Sequence, residues 1–300
     1  MKKYMLPLVA AALLLAVAQT RPTQGAPEKE SRADSLVGDV YFPERLELAG
    51  EVVPLWRQDV AEAARRELIV NSYFHSHTVQ ILKNAPRYFA RLEPILREEG
   101  VPDDFKYLAA AESAFNPLAV SPAGAAGVWQ FIKSSAKEYG LEVNDEVDER
   151  YHLEKATRAA CRYLKKAKER FGSWTLAAAA YNTGEKNVAK QIEIQQETSY
   201  YDLLMAEETN RYVFRILALK QIIERPALYG FQLPESYSPE TFIEITVARP
   251  VDNLALFAKE RGVSYKTLKR FNPWLRANTL NAPPGKSYRV AFPENPKAYR

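Results

Sequence analysis

The chain contains a single cysteine, Cys161, which excludes an intrachain disulfide framework and a cysteine-rich zinc module. Three histidines leave little for a histidine metal site, and His75 and His77, two apart, face different ways on a helix. An excess of either charge is also missing. The 41 Lys and Arg stand against 37 Asp and Glu, too even a balance to argue for nucleic acid. Residues 142–149 are acidic but lack the alternating oxygens and central glycine of a calcium loop, and read as a solvated loop and helix start. Cys161 sits at helical core spacing in Ala-Ala-Cys-Arg-Tyr-Leu and reads as a buried thiol. No metal and no cofactor is therefore expected. What remains is ordinary globular material, 300 residues with a hydrophobic share of 47%, enough for one sizeable core and a small second domain.

The first stretch stands apart. Two lysines precede an apolar run over residues 5–18, broken only by Pro7 and ending in Ala-Val-Ala. This is the charged start, apolar middle and small-residue end of a secretory signal. At about 14 residues it is short of the roughly 18–20 a spanning helix needs. Cleavage after Ala18 is the first expectation, after Ala26 the second, and an uncleaved anchor is the alternative. A lipid anchor needs a cysteine just after the run, and Cys161 is far away. An exported, periplasmic location follows. Residues 19–45, rich in Pro, Glu, Arg and Ser, read as a flexible lead-in.

Helical periodicity dominates residues 46–230. Tyr88, Phe89, Leu92, Ile95 and Leu96 form one stripe, in which Pro94 either kinks the helix or opens a new one. Gly100 stops it. Pro102-Asp103-Asp104 starts the next, which runs to about Phe115 because Asn116 precedes Pro117. Further helices are expected at about 129–139, 153–171, 174–181 and 207–224, with no strand in the span. The last 65 residues change pattern. Ile243, Ile245 and Val247 alternate as a strand. Leu254, Phe257 and Ala258 have helical spacing, Ser264 caps a second short helix, and Tyr288, Val290 and Phe292 alternate as a closing strand. Within residues 231–300, 11 Lys and Arg face 6 Asp and Glu, so the basic excess lies in this small module, boundaries 236–300. Its aromatics Trp274, Tyr288 and Phe292 read as core ahead of a sugar platform.

Four segments of the helical region carry chemistry. Glu112 ends an apolar run, Tyr107-Leu-Ala-Ala-Ala-Glu, near a helix C-terminus. Desolvation and the macrodipole both disfavour its charge there, as a general acid requires. Ser121-Pro-Ala-Gly-Ala-Ala-Gly-Val-Trp-Gln130 is a tight turn into a helix, with Trp129 and Gln130 offering a stacking face and an amide suited to sugar. A packing turn with a core tryptophan is the plain alternative. No Gly-Lys-Ser/Thr follows, so phosphate is disfavoured. In Ala178-Ala-Ala-Tyr-Asn-Thr-Gly184, Tyr181 and Asn182 offer a hydroxyl and an amide beside small residues. Glu208-Thr-Asn-Arg-Tyr-Val213 opens the last long helix with favourable acids.

The order Glu-Ser, Ser-Pro-x-Gly-Ala-x-Gly-x-x-Gln, Ala-Tyr-Asn-x-Gly, Glu-Thr-x-x-Tyr-Val resembles the lytic transglycosylase family with a lysozyme-like domain, in its membrane-bound murein transglycosylase D branch. Val-Asp-Glu-Arg at 147–150 and Ala156-Thr-Arg-Ala-Ala160 add to the likeness, which runs from roughly Asn71 to Ile223. The C-terminal module resembles a LysM domain more loosely. It has Asn272-Pro273 but Pro250-Val-Asp-Asn-Leu254 in place of Gly-Asp-Thr-Leu.

The resemblance implies a mainly α chain: a lysozyme-like all-helical catalytic domain followed by a small α+β LysM-like module. It implies cleavage between N-acetylmuramic acid and N-acetylglucosamine, with Glu112 as single acid and base and a 1,6-anhydro end as product. Ser113 and Ser121 would contact substrate or steady the loop. Trp129, Gln130, Asn182 and Tyr212 would bind substrate, and Tyr181 would also hold Glu112. Val128 and Thr183 stand where leucine and alanine are commoner. The implied partner is the peptidoglycan glycan strand, met by a monomer. A hydrolytic muramidase and a catalytically silent peptidoglycan-binding protein are the alternatives.

Overall fold

The computed structural model describes residues 38–233 and 235–299. The signal over 1–18 and most of the lead-in over 19–45 lie outside them. The element order is β1 (Glu47–Leu48), β2 (Glu51–Val52), α1 (Gln58–Tyr73), α2 (His75–Glu98), α3 (Phe105–Ser113), α4 (Lys133–Glu138), α5 (Leu153–Phe171), α6 (Trp174–Thr183), α7 (Glu185–Gln195) and α8 (Glu207–Glu224). Then follow β3 (Phe242–Val247), α9 (Leu254–Glu260), α10 (Tyr265–Phe271) and β4 (Tyr288–Pro293).

α3 is the central helix, and it is apolar nearly all round. Phe105, Leu108, Ala109 and Ala110 are wholly buried, between α2 on one side and α8 on the other. Its Lys106 is buried as well, and is compensated by Glu93 at 2.7 Å and Asp103 at 2.5 Å. α6 packs as closely through four consecutive alanines, Ala177 to Ala180, none of which reaches solvent. α2 is one continuous helix with Pro86 and Pro94 inside it. Each proline removes a backbone bond at a cost of about 3 kcal/mol. Both lie on the exposed face, where water takes the freed carbonyls and a long helix bends without loss of core packing.

The span was expected to hold no strand, and it holds the β1–β2 hairpin. Two-residue strands are too short for alternation to be visible, and the cause is tertiary. Glu51 leaves the hairpin to accept the Trp174 and Thr175 amides at 2.6 and 2.8 Å and the Ser173 and Thr175 hydroxyls at 2.8 and 2.7 Å. Burial opposes its charge, but these donors together hold its acid below the usual carboxylate range. The hairpin is thereby the N-terminal cap of α6. Two further boundaries differ from expectation. α3 stops at Ser113, and α4 begins at Lys133 because residues 129–132 are tied into turns and bridges. α7 had no clear signal, since Val188 is its only buried residue.

In the C-terminal module β3 and β4 pair antiparallel, with Ile245 opposite Val290 and Val247 opposite Tyr288. Asn253 caps α9 through the Ala255 and Leu256 amides, and Ser264 caps α10 through Thr267. Buried Asn272 joins α10 to β4, giving Nδ2 to Leu268 and Ala291 carbonyls and accepting the Ala291 amide. Trp274, Tyr288 and Phe292 are core, at 3%, 4% and 2% exposure.

That core is shared. Ala126, Val147 and Tyr151 of the helical region belong to it. Residues 142–149, read above as a solvated loop, are the strip on which the module sits. Val147 bridges Leu275, the Arg276 amide donates to the Glu146 carbonyl at 2.7 Å, and the Asp148 amide donates to the Trp274 carbonyl at 2.9 Å. The Glu146 carboxylate takes the Thr279 hydroxyl at 2.5 Å and the Asn281 amide at 3.0 Å, while Glu142 takes Tyr288 and Lys286. The acids were legible, but their partners lie more than 125 residues away in sequence. Glu146→Ala should remove two hydrogen bonds between the module and the helical domain, at about 0.5–1.5 kcal/mol each. Limited proteolysis across residues 231–241 reads this as faster cleavage of the variant.

Candidate active site

α3 carries Glu112 one residue before its end, and the chain then turns sharply. Ala114 and Phe115 both have left-handed backbone, φ 51° and 58°, a cost of about 1–3 kcal/mol each for residues with a side chain. Packing holds them there. Phe115 is wholly buried, stacked on Tyr88 with centroids 5.2 Å apart and edge-on to Phe89 at 5.6 Å. The Glu112 carboxylate accepts the Tyr212 hydroxyl from α8. Burial pushes its acid up to about 7, against the opposing pull of the Tyr212 bond and the Arg215 charge, with Glu208 adding a smaller upward push. Arg215 is itself paired with Glu208 at 2.8 Å, and the neighbouring Arg211 with buried Glu67 at 2.6 Å. Tyr212 stays a proton donor, since burial and the Glu112 charge raise its own pKa well above the ordinary value.

The loop over residues 116–132 is tied to the end of α3. Ser113 donates to the Val128 carbonyl at 2.9 Å, and Ser121 closes the turn by accepting the Ala125 amide at 3.1 Å. Gln130, at φ 49°, gives its side-chain amide to the Gly127 and Ala119 carbonyls at 2.7 and 3.2 Å. Gly127, at φ +77°, lies so close to the next segment that a Cβ would stand 2.0 Å from the Arg150 carbonyl oxygen. Arg150 clamps the loop from outside, donating to the Gly124 and Phe131 carbonyls at 2.7 and 3.2 Å while paired with Asp148 at 2.7 Å.

Three expected roles change. Trp129 is no stacking face: it is wholly buried, and its indole N–H donates to Thr157 at 2.8 Å. Tyr212, at 2% exposure, does not line the cleft and instead holds Glu112. Tyr181 does not hold Glu112, because its hydroxyl donates to the Trp129 carbonyl at 2.7 Å and so pins the loop. Asn182 accepts the Thr209 hydroxyl at 2.9 Å, tying α6 to α8. The sequence reading passed over Arg215 and gave Arg150 no role. Arg150 had a signal, the Val-Asp-Glu-Arg segment, while Arg215 stands two residues beyond the last motif. Among the described residues no cluster of three or more His, Cys, Asp or Glu could hold a metal ion.

A cavity of about 580 Å3 opens beside Ser113 and Val128 and reaches to the C-terminal module. Glu112 immediately precedes Ser113 of that lining, and Glu154, Glu240 and Glu244 stand elsewhere along it. Comparison with known proteins finds matches for both parts of the chain. Residues 92–204 match the transglycosylase SLT domain. Residues 243–296 match the soluble lytic transglycosylase C-terminal LysM-like domain. The chain is 32% identical over 228 residues to membrane-bound lytic murein transglycosylase D of Escherichia coli K12, covering 74% of this chain and 49% of that protein. It is 34% identical over 140 residues to peptidoglycan transglycosylase gp16 of Escherichia phage T7, covering 45% of this chain and 10% of that one. The chain thus spans about half the length of the murein transglycosylase D that it matches. Among solved structures, an inactive mutant of the lytic transglycosylase Slt of Pseudomonas aeruginosa aligns at 22% identity and TM-score 0.38, over 46% of this chain and 24% of that one. Of the motif residues, Glu112 on α3 and Tyr212 on α8 are bonded, Tyr181 on α6 is near enough to feel the Glu112 charge, and Asn182 ties α6 to α8.

A raised acid destabilises the folded state wherever it must ionise. With a folded pKa of about 7 against the ordinary 4.3 or so, the cost is absent below the unfolded value and complete above the folded one, at about 4 kcal/mol. Glu112→Gln should therefore be the more stable protein at pH 8, with the gap closing by about pH 4.5, in paired urea titrations. Tyr212→Phe removes a downward pull, so the Glu112 carboxyl should titrate above its wild-type value by carbon-13 NMR.

Proposed function

We propose that the chain is a peptidoglycan lytic transglycosylase, and that Glu112 alone serves as its acid and base. The observation that carries this reading is the Glu112 carboxyl at the end of α3, bonded to Tyr212 and with its pKa pushed by burial up to about 7, where an ordinary glutamate would be fully ionised. Protonated, it donates to the oxygen joining N-acetylmuramic acid to N-acetylglucosamine, and the bond from C1 to that oxygen breaks as positive charge builds on the muramyl ring. The resulting carboxylate, steadied by the Tyr212 hydroxyl, takes the proton of the muramyl 6-hydroxyl while that oxygen bonds to C1. Glu112 ends protonated again, and the products are a 1,6-anhydromuramoyl end and a free N-acetylglucosamine 4-hydroxyl.

Glycosidases usually flank the bond with two carboxyl groups. Here Glu208 and Glu67 beside the site are held in ion pairs with Arg215 and Arg211, and Glu154, Glu240 and Glu244 along the cavity with Arg91, Arg270 and Arg289. That leaves the second role to the substrate's own hydroxyl. Action on the murein sacculus also supports an exported, periplasmic enzyme, and no helix among the described residues is long and apolar enough to cross a membrane.

Digestion of purified sacculi followed by mass spectrometry tests the reading. Anhydromuropeptides are expected from the wild type, with a rate that falls as pH rises through about 7, and Glu112→Gln should lose about 100-fold or more. Reducing muramic ends alone would mean a hydrolytic muramidase. Murein binding without any release, equal in wild type and variant, would mean a silent binding protein.

A further inference from the structure

The groove between the helical domain and the C-terminal module has a polarity along its length. Five side chains of α2, His77, Gln80, Asn84, Arg87 and Arg91, recur at three- and four-residue steps and line one wall of the 580 Å3 cavity. Fourteen residues of helix at ~1.5 Å each make this stripe about 21 Å long. Its His77 end is neutral, an imidazole and two amides, and lies by Arg215, whose charge also reaches Glu112. Its Arg91 end is charged, and the facing module answers it with Glu240, Glu244, Arg270 and Arg289.

At that end the two signs alternate. Arg91 pairs with Glu154 at 2.6 Å, Arg289 with Glu244 at 3.1 Å, and Arg87 lies 4.0 Å from Glu240. The pairs are not sealed: the Arg91 and Glu154 side chains are 30% and 32% exposed, and Arg289 is 75% exposed. Open aromatic faces, which sugars favour, are scarce here. Tyr88, Phe115 and Trp274 are buried, and the Arg91 guanidinium covers Phe242 at 5.1 Å.

We infer that the charged end of this groove, built jointly by α2 and the C-terminal module, binds the peptide stem of the murein strand while the neutral end receives its sugars. This rests on the proposed function, since the stem is attached to the sugar that Glu112 would attack. Stem peptides carry several carboxylates and, in diaminopimelate walls, an amine, so they can exchange partners with Arg–Glu pairs of both signs. Four residues in extended form reach about 13 Å, comparable with the distance from the middle of the stripe to its charged end. In this arrangement the module is one wall of the substrate site.

The test uses the full chain with two readouts: calorimetric titration of a free stem tetrapeptide, and kcat/KM on peptide-bearing strands against strands stripped by an amidase. Wild type should bind the tetrapeptide and prefer the peptide-bearing strands. Arg289→Ala and Glu244→Ala should each weaken tetrapeptide binding at least fivefold and lower the preference by a similar factor through KM, with Arg289→Lys recovering part of it. Absence of tetrapeptide binding by the wild type would overturn the inference, as would variants that slow both substrates equally. If neither strand is cleaved, the transglycosylase reading fails instead, and the titration still decides the groove.

Discussion

A carboxyl group taken out of water at the junction of α3 and α8 is the constraint around which the helical domain is arranged. Placing it there requires α3 to be buried on nearly every side, so its residues are Phe, Leu and Ala and its one lysine is paired twice. It also requires the helix to stop at once, so two residues with side chains accept left-handed backbone. The stacked rings of Tyr88, Phe89 and Phe115 supply the rigidity that keeps that turn in place. Tyr212 finally gives the acid one oriented partner without giving it water. Removing apolar packing from any of these would let solvent reach the carboxyl and return it to an ordinary acid.

The sequence disclosed the parts whose signal is local. α5 and α8 were legible from helical spacing, at about 153–171 and 207–224, and the strand-helix-helix-strand order of the module from its alternation and its cap Ser264, while the Asn253 cap of α9 emerged only from the structure. Glu112 stood out only through the four motifs taken together, since a glutamate at a helix end by itself reads as a solvated or capping residue. What stayed hidden depends on residues far apart. Trp129 looks like a sugar platform until Thr157 is found beneath its indole N–H. Tyr181 and Tyr212 are both plausible partners for Glu112, and only the crossing of α6 and α8 over α3 decides between them. The β1–β2 hairpin exists because Glu51 caps a helix more than 120 residues later.

The C-terminal module is joined to the site by a short chain of contacts. The Trp274 carbonyl holds the Asp148 amide, the Asp148 carboxylate holds Arg150, and Arg150 holds the Gly124 and Phe131 carbonyls of the loop. That loop in turn accepts Ser113, the residue after Glu112. The small module therefore contributes to the shape of the cleft as well as carrying the basic excess of the chain.

This docking changes what a wall-binding module can do. On a loose linker such a module raises the local concentration of substrate around the enzyme and leaves the point of attack free to wander. Seated on residues 142–149 through a shared core, it stands at a constant separation from Glu112. On the proposed function, a polymer gripped by one and cut at the other would be measured as well as held, and the spacing of the two parts would become a ruler laid along the strand.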